Sequence, residues 1–72
     1  MTVEELEAAF VGIDLPEEAE LYPGVIVRDV PKFIASHIAT IKNASNARMS
    51  DAFVARLVRL LEIIDKRNQA QQ

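Results

Sequence analysis

A chain of 72 residues with no cysteine, one histidine and a formal charge of −3 makes a single domain with no disulfide or structural metal to staple it. A domain this short buries only about 60% of the surface its unfolded chain exposes, so each large apolar side chain counts. No apolar run approaches the ~18 residues that span a bilayer, and Met1-Thr2-Val3-Glu4-Glu5 is acidic where a signal peptide is basic and then apolar. These features predict a native start and a soluble, cytoplasmic protein.

Charge is unevenly spread. Residues 1–27 hold seven acids and no Lys or Arg, whereas residues 28–72 hold eight bases against four acids. Such blocks orient a small fold or solvate it, and the alternative is a basic face kept for an anionic partner.

The first element opens at Thr2. Its hydroxyl is placed to accept the N–H of Glu5, and the Glu5 carboxylate is placed to reach back, a capping box. Val3, Leu6 and Phe10 then share one helical face, and Gly12 is suited to closing the helix in the left-handed conformation. A helix over 3–11 follows. Within 13–30, Leu15-Pro16 is extended or turned, and Pro16-Glu17-Glu18-Ala19 is suited to starting one helical turn. Tyr22-Pro23-Gly24-Val25 predicts a type II turn, with glycine taking the positive dihedral. Val25-Ile26-Val27 prefers an extended form, but three residues alone make no sheet. The whole stretch is therefore expected to cross the helices as an ordered connection, or to pair its edge with another chain.

Asp29-Val30-Pro31 opens a second helix over 31–44, with Asp29 accepting free N–H groups and Pro31 at the first helical position. Phe33, Ile34, His37, Ile38 and Ile41 fall on its apolar face. After a polar connection, Ser50 is a good cap for the last helix, over 51–67, with an earlier start at Ser45 or Asn46 as the alternative. Phe53, Leu57, Leu60, Leu61 and Ile64 form the longest apolar stripe in the chain, onto which the rest must pack. Residues 68–72 have nothing to bury and are expected to fray.

Chemistry-bearing patterns are sparse. His37 lies in an apolar stripe without a second polar group among its helical neighbours, which points to a packed, buried polar residue and not to a general base. The glutamates match no calcium loop, and there is neither a nucleophile elbow nor a glycine-rich phosphate loop. No catalytic residue, metal or cofactor is expected. The connection before the last helix is too long for a helix-turn-helix, and Asp51 and Ala52 stand where bases would be read. Arg56, Arg59, Lys66 and Arg67 nevertheless keep a nucleic-acid-associated regulator as the second reading, against an acidic composition. Ile63 lies off the core stripe beside Arg56 and Arg59, with Val58 at the other margin. These four residues form a candidate partner surface.

The segment Asp29-Val30-Pro31-Lys32-Phe33-Ile34 with His37-Ile38 is preceded by Leu15-Pro16 and Pro23-Gly24. It is followed by Arg56-Leu57 and Arg59-Leu60. Together these residues resemble a family of bacterial domains of about this length whose function is unknown. The resemblance covers nearly the whole chain and implies no activity. From its three apolar helical stripes and their caps, the chain is expected to be all-α, a small three-helix bundle with an ordered, partly extended connection between its first two helices. Its expected role is a non-enzymatic protein–protein interaction module, as a homodimer or an accessory subunit.

Overall fold

The computed structural model describes residues 2–44 and 47–70, the backbone alone for 47–49. Its order is α1 (Val3–Val11), β1 (Ala19–Tyr22), β2 (Val25–Val27), α2 (Val30–Asn43) and α3 (Ala47–Ala70). Thr2 caps α1 by accepting the Glu5 N–H at 3.2 Å. The return arm of the capping box differs, because the Thr2 hydroxyl itself donates to the Glu5 carboxylate. Gly12 closes α1 at φ −92°, not in the left-handed region, so no glycine-specific geometry is used there.

The chain is not all-α, because β1 and β2 form an antiparallel two-stranded sheet. Val25–Val27 finds its mate only two residues upstream. Glu17-Glu18-Ala19 does not open a helical turn, since Ala19 begins the first strand. Pro23 and Gly24 form the reversal, with Gly24 at φ 81°, the sign that the third position of a type II turn requires. Ala19 faces Val27, Glu20 faces Ile26 and Tyr22 faces Val25, leaving Leu21 as the extra residue of a bulge. That bulge lets Leu21 enter the core, where it is 3% exposed. The base of the hairpin is closed by the Val30 N–H, which donates to the Glu17 carbonyl at 3.0 Å and so ties the sheet to the start of α2.

At that start the Asp29 carboxylate accepts the Lys32 N–H at 3.2 Å. The last helix is longer than its stripe requires. It begins at Ala47, so Ser50 lies within its first turn and is not the cap. It also continues to Ala70 where fraying was expected, because polar side chains hold its end. Asn68 donates to the Asp14 carbonyl at 3.3 Å, and Gln69 to the Asp65 carboxylate at 3.1 Å. The alternative start at Ser45 or Asn46, and Gln71 and Gln72 of the tail, lie outside the described residues.

At 24 residues α3 is about 36 Å long, and it spans most of the 40 Å long axis. Its Leu57, Leu60 and Ile64 are fully buried, each worth about 1.5–3 kcal/mol. Leu6 and Phe10 from α1, Leu21 and Val27 from the hairpin, and Val30, Ile34 and Ile38 from α2 complete one core. Phe53 and Leu61, expected in the same stripe, are half-buried at its edge. Replacing Leu57 by Ala is expected to cost about 3 kcal/mol, a large share of the stability of so small a domain. Urea unfolding measures it, and a loss below about 1 kcal/mol would mean that the core closes over the gap.

Candidate functional site

Of the four residues expected to form a partner surface on α3, Arg56 and Arg59 are exposed and Val58 and Ile63 are half-buried. Arg59 donates its Nε–H to the carbonyl of Leu21, the bulge residue, and its guanidinium lies 4.8 Å over the Tyr22 ring. Arg56 sits 5.1 Å from the Phe53 ring centroid. Val58 and Ile63 are half-buried against the core. Arg59 therefore clamps the hairpin to α3 through β1, the strand that packs against this helix. Lys66 and Arg67 remain exposed.

The opposite edge of the hairpin is open. Val25 is 50% exposed and Ile26 53%, and among the described residues no backbone hydrogen bond runs from Val25–Val27 to anything but β1. Beside this edge lies an open groove of about 360 Å³, with β2 and Arg28 on one side and Lys32, Phe33 and Ser36 of α2 on the other. Arg28 and Lys32 are both exposed, and the one ion pair among the described residues is Lys42 with Glu7 at 2.9 Å. Asp29, also at the groove, spends its carboxylate on the α2 cap. A second groove, of about 410 Å³ between α1 and α2, is lined by Phe10, Val11, Pro31 and Ile34 and has no strand edge. The Val25–Val27 edge was legible from its β-branched run. Lys32, Phe33 and Arg28 were not, and the cue available was the Ala19–Tyr22 segment set two residues before it across Pro-Gly, a hairpin pattern.

His37 packs between aromatic rings, 3.9 Å from Phe33 in a stacked arrangement and 4.8 Å from Phe53. Its Nδ1 lies 3.0 Å from the Phe33 carbonyl. A carbonyl only accepts, so the neutral ring carries its proton on Nδ1 and presents a bare acceptor at Nε2. That nitrogen is buried and has no hydrogen-bond partner among the described residues. Burial lowers the His37 pKa, the Phe33 carbonyl pulls it back up, and Arg56 adds to the lowering. Proton relay needs a second polar group in reach, and among the described residues the ring's one hydrogen-bond partner is the Phe33 carbonyl. Among the described residues no group of His, Cys, Asp and Glu is arranged to hold a metal ion.

The chain belongs to a family described as a domain of unknown function, DUF6965, whose pattern matches residues 1–66. No curated protein and no solved structure matches it. Among the described residues, no helix is long and apolar enough to cross a membrane.

Two outcomes are expected from this geometry. Arg59→Met keeps the packing stem but removes the clamp, at about 1–2 kcal/mol. Hydrogen exchange should speed up at the amides of Ala19–Val27 while those of Leu57–Ile64 keep their protection, and a uniform change would refute the clamp. The pH response has a definite sign. With the folded pKa below the usual 6.5, the unfolded chain takes up the proton first as pH falls. Stability is thus complete above that value and is lost progressively down to the folded pKa. Denaturation at about pH 7.5 and about pH 5.5 should show the loss, and His37→Phe should abolish it. An equal loss in the variant would place the effect elsewhere.

Proposed function

We propose that this DUF6965 domain is a non-enzymatic protein–protein interaction module of the bacterial cytoplasm, acting as a homodimer or as an accessory subunit. The observation that carries the reading is the unpaired outer edge of β2, with Val25 and Ile26 each about half exposed. An open apolar strand edge invites pairing with another chain, and soluble proteins ordinarily blunt it with a charge, a proline or a covering loop. Here Val25–Val27 carries no charge or proline within the strand, and only its length of three residues and the bulge opposite limit the edge. A domain with so small a core has little apolar surface to leave outside, so two adjacent β-branched residues there have a use in recognition.

The site is also well supported from behind. Arg59 and the Glu17–Val30 hydrogen bond hold the hairpin on α3 and α2, so the free edge is presented in one orientation and a partner need not order it.

Sedimentation equilibrium over a range of concentrations tests self-association directly. A dimer that persists in high salt and is lost with Ile26→Asp is the homodimer outcome. For an accessory subunit, a photo-crosslinking residue at position 26 in the native cell should give one discrete adduct that position 55, exposed on α3, does not. A chain that stays monomeric at every concentration and gives no adduct from position 26 overturns the reading.

A further inference from the structure

Resting on the interaction reading, we propose that the groove beside β2 receives an extended acidic segment of a partner protein, which adds to β2 as a third strand. One wall is a strand edge. In an antiparallel pair every second residue directs its N–H and C=O away from its partner, so β2 offers main-chain groups to an incoming strand. The three residues of β2 give an edge about 10 Å long, enough for three or four residues of an added chain. The other wall is the first part of α2, so the incoming strand lies between an edge and a helix. Its side chains alternate, one set meeting the apolar surface of Val25 and Phe33 and the other pointing outward.

Charge selects the occupant. Two cations, Arg28 and Lys32, stand at the groove without an ion pair among the described residues, against one carboxylate, that of Asp29, which keeps its charge while accepting the Lys32 N–H in the α2 cap. The local field is therefore positive on a chain that is acidic as a whole. A second copy pairing through its own β2 would bring another Arg28 and Lys32 to the same place. Nor does its β1 suit the place, because that strand carries a single acid, Glu20, and its Leu21 carbonyl is already taken by Arg59 of α3. A foreign strand with acidic residues alternating with β-branched or aromatic ones suits both walls, and like charges are excluded.

The test is a selection on the full chain with a phage-displayed library of random peptides. The resulting consensus peptide is then labelled with fluorescein and titrated by anisotropy. Peptides rich in Glu or Asp alternating with Val, Ile or aromatic residues are expected. Binding should weaken about tenfold in an Arg28→Glu, Lys32→Glu double variant and should fall with added salt, as a charge-steered contact does. N-methylation at alternate peptide bonds should remove it, and the bound peptide should slow exchange at the Val25–Val27 amides. An intermediate loss in Arg28→Gln, Lys32→Gln, whose fold is checked by circular dichroism, separates charge from packing. Selection of basic or proline-rich peptides, no selection at all, or binding indifferent to both double variants overturns the proposal. If the chain then dimerises through Ile26, or crosslinks from position 26, the interaction reading stands and only the acidic strand falls. If it does neither, both fall.

Discussion

Three residues of one helix, Leu57, Leu60 and Ile64, are fully shielded from water, and every other element exists in order to shield them. No other piece is self-sufficient. A helix the length of α1, with nine residues, is marginal in water, and so is a two-stranded hairpin. Each gains its stability only where its apolar face meets α3 or α2. With no disulfide available, the domain rests on this shared contact, and the cost of losing any one element is felt by the others.

The same dependence explains how the hairpin comes to have one closed edge and one open edge. Its inner residues Leu21 and Val27 are drawn into the core, and the Leu21 carbonyl, at the bulge, is within reach of α3. Arg59 takes that carbonyl and lies on Tyr22, so a single guanidinium joins the strand backbone, an aromatic ring and the longest helix. What is satisfied on that side is left open on the other, and the open side carries Val25, Ile26 and two cations.

His37 occupies the seam between α2 and α3 in a different manner. An imidazole with an unpartnered buried nitrogen costs stability compared with an apolar ring of its size. Its stacking on Phe33 and its bond to the Phe33 carbonyl offset part of that cost and hold it in one tautomer. The charged form is disfavoured by the same burial that packs it.

Much of the local structure was legible because local interactions decide it. The Thr2 and Asp29 caps, the positive dihedral at Gly24 and the apolar stripes of α1, α2 and α3 each depend on residues within a turn or two. DUF6965 membership likewise adds to a reading that already began from Asp29-Val30-Pro31 and its neighbours. Where local preference and distant contact competed, the distant contact won. Glu17-Glu18-Ala19 is as fit for a helical turn as for a strand, and only the pairing with Val27 and the burial of Leu21 select the strand. The last helix runs past its apolar stripe because Asn68 reaches Asp14, 54 residues away, and Arg59 turns from the expected rim to a carbonyl 38 residues away. The sequence by itself determined which segments are helical and where the chain reverses, since those follow from caps, turns and periodicity. Tertiary structure alone decided that the connection is a sheet, which of its edges is covered and which cations stand beside the open one, because each of these needs groups that only folding brings together.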